Sequence, residues 1–402
     1  MGIRTSHGFR VIGLISGTSV DGIDVAAADL RAEDGTVVLT PLGELDVPYP
    51  EPLREGLLAA LPPNPCTAGE LTRLDTGVGQ AFADAALRGA VELAGGTADL
   101  VASLGQTVFH WVEDGAVRGT LQLGQPAWIA ERTGLPVLAD LRARDVAAGG
   151  HGAPLASTFD QLWLRGLAED SGRPVAALNL GGIANITVVT AGEPAIAYDT
   201  GPANALLDLA AHRVTGSRSD LDGRLALSGS VRADLLVRLL ADPYFTAPAP
   251  KSTGKEYFNA EYLDAALAGL PPVAPADLLA TLTELTAVTV AEQCHLHGAT
   301  TVIASGGGVA NPALMTALAR NLPSAVLKTS DDLGLPGAGK EAYLTALLGW
   351  LTWCGVPGTV PSATGARGAR LLGALVPGAG PLILPAPLGG TVTRLRVAEK
   401  AG

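Results

Sequence analysis

A strand–turn–strand pattern near the N-terminus recurs once, and it constrains the fold more than any other feature. Arg10–Ile15 and Ile23–Leu30 are apolar runs of strand length. Between them, Ser16-Gly17-Thr18-Ser19-Val20-Asp21-Gly22 supplies two glycines, three hydroxyl residues and one acid. A tight turn of this composition presents several backbone N–H groups together, a concave site for an anion such as phosphate. The same residue types build ordinary turns, so a plain hairpin fits equally. Asp21 and Asp24 would repel a bare phosphate, but they make sense with a hard cation such as Mg²⁺ between. The pattern returns as Arg173–Leu180, Gly181-Gly182-Ile183-Ala184-Asn185 and Ile186–Thr190. The spacing is too long for a solenoid and suggests a duplicated supersecondary unit, with a nucleotide clamped between two halves.

A chain of 402 residues predicts two α/β domains or one large unit, and its 48% hydrophobic content supports sizeable cores. A net charge of −12 with 27 Lys and Arg argues against a nucleic-acid or anionic-membrane partner. Cys66, Cys294 and Cys354 are far apart and lack metal-site spacing, which fits a reducing cytoplasm. The first apolar run breaks at Gly17, so no signal peptide is expected. The uncharged part of Ala342–Ala366 is interrupted by Gly355, Pro357, Gly358 and Pro361, so no membrane span is expected.

Further along, Thr36–Leu45 reads as a strand, and Glu55–Leu61 and Thr67–Ala94 as helices. Asp99–Leu104 reads as a buried strand running into a polar loop, Gly105–His110, where His110 is either a surface histidine or part of a site. A helix at Gln125–Thr133 and a strand at Leu135–Ala139 precede the charged and Gly-rich stretch Asp140–Leu155, with a domain boundary near Ala139. The first domain is thus 1–139, completed by 356–402, and the second is 140–355. Asp199 in Tyr198–Asn204 precedes a helix at Ala205–Val214, where Asp serves either as an N-cap or, facing a cleft, as a base. Lys251–Glu256 is not a Walker A loop, because its upstream glycine is absent. Helices at Ala260–Leu267 and Ala276–His297 lead to a strand at Thr301–Ala304. The triplet Gly306-Gly307-Gly308 and a helix to Leu322 follow, a place for close approach to a nucleoside. Glu341 opens a last helix, to Trp353, and Gly378–Gly402 reads as a loose tail with one short strand.

Taken together, these stretches resemble the anhydro-N-acetylmuramic acid kinase family of the sugar kinase/Hsp70/actin superfamily, from about Val11 to Pro377. The resemblance rests on Gly17–Gly22, Gly105-Gln106-Thr107, Asp140–Asp145, Gly149–Leu155, Asn179–Asn185, Tyr198–Pro202, Pro250–Gly254 and Gly306–Gly308, in the family's order. It departs at Leu104, where the family has His, at Ala203, where the family has Gly, and in the extra tail.

The resemblance implies a two-domain α/β fold of the ribonuclease H-like kind with a nucleotide cleft between domains, and a homodimer. It implies ATP- and Mg²⁺-dependent hydrolytic opening of 1,6-anhydro-N-acetylmuramic acid with phosphorylation of O6, a step of peptidoglycan recycling. Asp199 is then the base. Gly17, Thr18, Ser19, Asp21 and Gly22 form one phosphate turn, and Gly181, Gly182 and Asn185 the other. Gly306, Gly307 and Gly308 form the nucleoside pocket, and Asp21 or Asp24 supports the metal. Gln106, Thr107, Arg142 and Glu341 face the sugar. Asp199 must stay ionised, which Arg142 or Arg144 nearby would favour. Leu104 leaves room for a kinase of another anhydrosugar such as levoglucosan. A non-catalytic nucleotide-binding protein of the same fold is the other alternative.

Overall fold

The computed structural model describes residues 8–17, 19–249, 251–337, 339–389 and 391–398. Thr18, expected in the first phosphate turn, lies outside the described residues.

The protein is α/β, with strands β1 (Phe9–Ser16), β2 (Gly22–Glu33), β3 (Thr36–Pro48), β4 (Leu100–Glu113), β5 (Ala116–Leu123), β6 (Val137–Ala139), β7 (Val175–Leu180), β8 (Ile183–Val189), β9 (Ile196–Pro202), β10 (Thr301–Ser305), β11 (Val326–Thr329), β12 (Ala374–Val376) and β13 (Arg394–Val397). It divides into two compact units, Met1–Trp163 with Gly339–Gly402, and Leu164–Ala338.

In the first unit the sheet order is β12-β6-β4-β1-β2-β3-β13, with β5 paired to β4. Side chains alternate across β1 and so serve two helical layers. Ile12 and Leu14 belong to a core with Val78, Phe82 and Ile129, from helices Ala68–Arg88 and Pro126–Thr133. Gly13, on the opposite face, admits helix Lys340–Trp353, since a Cβ there would stand 2.7 Å from Ala346 N. Gly349 of that helix in turn lies against Ala102 of β4. The C-terminal segment supplies the outermost strands of the sheet: β12 runs antiparallel to β6, and β13 parallel to β3. One short tail strand was expected, and β13 is it.

The unit boundaries fall later and earlier than the expected 139 and 355, and hydrogen bonds explain why. His151 N–H bonds Thr364 O at 2.8 Å and Arg367 N–H bonds Ala148 O at 3.0 Å, which ties the Asp140–Leu155 stretch to the first unit. The Lys340–Trp353 helix stays there through its contact with β1.

β4 also departs from expectation. Gly105–His110 is not a loop, because the strand continues to Glu113 and forms an antiparallel ribbon with β5. Gly105, at φ +70, absorbs a register shift that lets β4 carry on past β1.

In the second unit the order is β11-β10-β7-β8-β9. Leu178 and Leu180 pack with Val290 and Leu314, from helices Pro275–Leu296 and Pro312–Asn321. Among the described residues no helix is long and apolar enough to cross a membrane.

Candidate functional site

The β1–β2 turn is held from below. Val20 N–H bonds Gly17 O at 3.2 Å, and Arg54 Nε donates to Val20 O at 3.1 Å. Val20 takes φ +57, an unfavourable conformation for a β-branched residue, while its side chain is fully buried in the core. Gln106 is also fully buried. Its Oε1 accepts from Ser16 Oγ at 2.7 Å and Tyr49 OH at 3.3 Å. Its Nε2 donates to Gly17 O at 3.1 Å and Thr107 O at 3.2 Å. The carboxamide is therefore occupied within the protein and braces the turn, although the resemblance placed Gln106 against the sugar. The turn's two glycines differ in purpose. A Cβ on Gly17 would meet only Ser19 Oγ, at 3.7 Å, so the turn is open there. A Cβ on Gly22 would stand 2.8 Å from Val47 O, so β2–β3 packing demands glycine.

Negative charge gathers behind this turn. Asp24 lies opposite Asp46 across β2 and β3. Burial, then the charges of Asp46, Glu341, Glu44 and Asp21, push the Asp24 carboxyl up to about 6. Among the described residues no three His, Cys, Asp or Glu side chains converge closely enough to hold a metal ion by themselves. Mg²⁺ keeps most of its waters and binds through one or two carboxylates together with nucleotide phosphates. The Asp21–Asp24 region, rich in charge and poor in direct ligands, fits that habit.

Thr107, His110, Arg142 and Glu341 also belong to the first unit. Thr107 Oγ1 accepts from Gln122 Nε2 at 3.2 Å. Arg142 Nη1 donates to Gly152 O at 2.7 Å. Burial works against the Arg142 charge, and the Glu341 carboxylate supports it. His110 is held below the usual histidine range by burial first and by the Arg142 charge second. Asp145 is fully buried and accepts from Gly152 N–H and from Thr364 Oγ1, both at 2.8 Å. Gly150 must be glycine because a Cβ there would collide with the Asp145 carboxylate. Leu104 is buried and lines a cavity of about 340 Å³ with Leu71, Leu123 and Val376.

In the second unit the β7–β8 turn is the pair Gly181-Gly182. Its carbonyls accept from the start of helix Asn204–Thr215: Gly182 O from Ala203 and Ala205 N–H, both at 3.0 Å, and Gly181 O from Asn204 N–H at 3.1 Å. Asn204 Nδ2 adds a bond to Leu180 O at 3.1 Å. Lys255 lies over the turn, its Cε 2.7 Å from where a Gly182 Cβ would be. No sequence spacing pointed to that contact, because the Lys251–Glu256 loop and the turn are far apart in the chain. Ala203, in place of the family's glycine, has φ −128 with ψ −112, outside the ordinary β and α regions.

Asp199 sits inside β9 opposite Asn185, three residues before Pro202 ends the strand. It is not a helix cap; Ala203 holds that position, with no side-chain bond. Asp199 Oδ2 accepts from Ser252 Oγ at 2.8 Å and Thr253 N–H at 3.0 Å. Oδ1 has no hydrogen bond among the described residues. Burial raises the pKa most, the two hydrogen bonds lower it, and Glu256 raises it. The arginine expected to hold Asp199 ionised is not among these groups; Ser252 and Thr253 act in that direction instead. In the Gly306–Gly308 triplet, Gly306 and Gly308 are explained by packing. A Cβ on Gly306 would stand 2.5 Å from Asn179 Oδ1, and one on Gly308 2.6 Å from Leu180 Cβ. Gly307 alone faces open space.

The family model for anhydro-N-acetylmuramic acid kinase matches residues 9–378. This chain belongs to the anhydro-N-acetylmuramic acid kinase family. It is 58% identical to the anhydro-N-acetylmuramic acid kinase of Streptomyces coelicolor, over 96% of this chain and 99% of that protein. It is 57% identical to the kinase of that name from Streptomyces avermitilis, over 94% of this chain and 96% of the other. The Rhodococcus erythropolis relative of the same name is 54% identical, over 92% and 94%. Among solved structures, a ROK family glucokinase from Streptomyces griseus has a TM-score of 0.37 at 15% identity over 85% of this chain and 99% of its own, too distant to bear on the site. The family match ends at the start of the tail that carries β13.

Proposed function

We propose that this family member is an ATP-dependent kinase that opens 1,6-anhydro-N-acetylmuramic acid with water and phosphorylates O6, giving N-acetylmuramic acid 6-phosphate. The observation that carries the mechanism is the Asp199 carboxyl: one oxygen is fixed by Ser252 and Thr253, the other has no hydrogen bond among the described residues, and the pKa is raised. A base held this way has a defined direction and a basicity above that of an ordinary aspartate. Water attacks C1 while Asp199 takes its proton. The C1–O6 bond breaks, and its electron pair stays on O6. O6 bonds the γ-phosphorus as the bond to the β,γ-bridging oxygen breaks, releasing ADP. Inverting glycoside hydrolysis ordinarily needs a second carboxylic acid to protonate the leaving oxygen. Here phosphorus receives that oxygen, so one carboxylate suffices.

The open backbone at Gly17 and Ser19 and the Gly181-Gly182 turn with Asn185 serve the phosphates, and Gly307 gives the nucleoside its closest approach. Asp24, with Asp21, would hold Mg²⁺ through water, which neutralises phosphate charge when bound. Thr107, Arg142 and Glu341 face the sugar, while Gln106 braces the first turn. The cytoplasm is the proposed setting and a homodimer the proposed assembly, the latter read by sizing in solution. Relatives at 54–58% identity that carry the anhydro-N-acetylmuramic acid kinase name favour this substrate over levoglucosan, and an intact Asp199 favours catalysis over simple nucleotide binding.

ATP consumption measured with no sugar, with levoglucosan and with 1,6-anhydro-N-acetylmuramic acid tests the reading. Consumption that depends on the muramic acid sugar and yields its 6-phosphate supports it. Rapid consumption without sugar, or preference for levoglucosan, overturns it.

A further inference from the structure

Asp199 occupies a position that the strand ladder holds loosely. β9 is the last strand of the second unit's sheet, so only β8 pairs with it among the described residues. The pairing also slips there: Asn185 lies opposite Asp199 and Ala184 opposite Gly201, which leaves Thr200 as an extra residue. A bulge of this kind bends the strand and re-aims its side chains. The direction of the carboxylate must therefore be fixed from outside the sheet.

Three residues do this in a closed circuit. Asp199 N–H donates to Lys251 O at 3.1 Å. Lys251 Nζ donates to Tyr244 O at 2.9 Å and to Phe245 O at 3.0 Å. Tyr244 OH donates back to Asp199 O at 2.8 Å. Both main-chain groups of Asp199 are thus held by residues that lie outside the sheet. Ser252 and Thr253, the donors to Asp199 Oδ2, follow Lys251 directly in the chain, so fixing Lys251 delivers them.

The circuit is itself anchored. Tyr244 and Phe245 lie in the short helix Pro243–Thr246, whose cap Asp242 accepts from Tyr244 N–H at 2.8 Å. The Tyr244 ring meets Phe258 edge-on, with centroids 5.5 Å apart. Phe245 fills the notch at Gly201, where a Cβ would stand 2.7 Å from its ring. Lys251 Nζ lies 4.7 Å from the centroid of the Tyr244 ring. Its two hydrogen bonds go to main-chain carbonyls, and Glu292 supports the charge without an ion pair among the described residues. A lysine used in this way supplies geometry, and its charge is not among those that shift the Asp199 carboxyl.

We propose that Tyr244 and Lys251 are positioning residues for the reaction, setting the angle at which Asp199 meets the attacking water; the proposal rests on the base role given to Asp199 above. A general base acts along a defined line to its proton, and a displacement of about 1 Å can cost about 10²-fold in rate.

The test measures kcat and the KM values for ATP and 1,6-anhydro-N-acetylmuramic acid in Tyr244→Phe and Lys251→Met, each alone and combined with Asp199→Asn. Tyr244→Phe keeps the ring and removes one hydroxyl, and kcat should fall about 3- to 10-fold. Lys251→Met should lower kcat about 10- to 100-fold, with both KM values within about twofold in either variant. Lys251→Arg, which can still donate to both carbonyls, should recover most of the loss. In the Asp199→Asn background neither substitution should lower the residual turnover further, because each acts through the carboxylate. If Lys251→Met does not fold, Tyr244→Phe carries the comparison. Unchanged kcat, a loss confined to KM, or an equal loss with and without the Asp199 carboxylate overturns the proposal. Near-normal turnover in Asp199→Asn overturns the base role instead, and a wild-type protein that consumes no ATP with the sugar overturns the kinase reading.

Discussion

The turn after β1 and the turn after β7 join antiparallel strands of similar composition, yet they are held by different means. The first is braced by side chains: the Gln106 carboxamide below Gly17, Ser16 and Arg54 around it, and buried Val20 at φ +57. The second is braced by the backbone of a helix start, through Ala203, Asn204 and Ala205. Their charge also differs. Four carboxylates act on Asp24 behind the first turn, whereas Lys255 lies over the second. Two turns alike in sequence therefore differ in the charge beside them, carboxylates at the first and a lysine at the second.

The largest expected effect falls beside the second turn. Asp199→Asn should lower kcat by about 10²- to 10⁴-fold while leaving ATP affinity, measured by calorimetry, within a few-fold. Near-normal turnover would remove Asp199 from the base role. Next come the glycines. Gly22→Ala should destabilise the protein by about 1–3 kcal/mol in thermal or denaturant unfolding, because its Cβ would press on the Val47 backbone. Gly182→Ala meets only the flexible end of Lys255 and should stay within about 0.5 kcal/mol. Equal losses would erase the contrast between the turns.

Gln106→Ala removes the acceptor of the buried Tyr49 hydroxyl and the side-chain donor to Gly17 O, while Ser16 Oγ keeps its bond to Gly22 O, and should cost about 1–3 kcal/mol, with a raised KM for ATP. Asn204→Ala removes one bond from a turn the backbone already holds, and about 0.5–1.5 kcal/mol is expected. Lys255→Gln should raise KM for ATP by about two- to fivefold, an effect that fades with salt. Unchanged KM at low salt would take Lys255 out of the site.

The smallest effect is a pH shift. A base works ionised, so a raised Asp199 pKa moves the acid limb of kcat/KM to higher pH than an ordinary aspartate would give. Glu256→Gln removes the charge that raises it, so the limb should move to lower pH. A limb that moves upward in that variant would contradict the electrostatic account.

Much of the architecture was legible along the chain. The alternation of Arg10–Leu30, the glycines between its strands and the repeat at Arg173–Thr190 are local features, and strands and turns are largely local choices. The candidates Asp199, Arg142 and Glu341 were legible as motif residues. The partners of those residues were not. Gly105 hid the continuation of β4, because a glycine that ends a strand and one that absorbs a bulge look alike in sequence. The unit boundaries were missed because Thr364, Arg367 and Ala346 fix them from more than two hundred residues away.

Sequence alone therefore determined the α/β class, the paired glycine turns and the family, since each depends on residue types in order. Tertiary structure decided what those residues do: Gln106 turned inward beneath a turn, Asp199 kept inside a strand rather than capping a helix, Lys255 laid over Gly182, and Tyr244 bonded across to Asp199. Each of these is a hydrogen bond, a steric contact or a charge between segments far apart in the chain, and only the packed fold sets such distances.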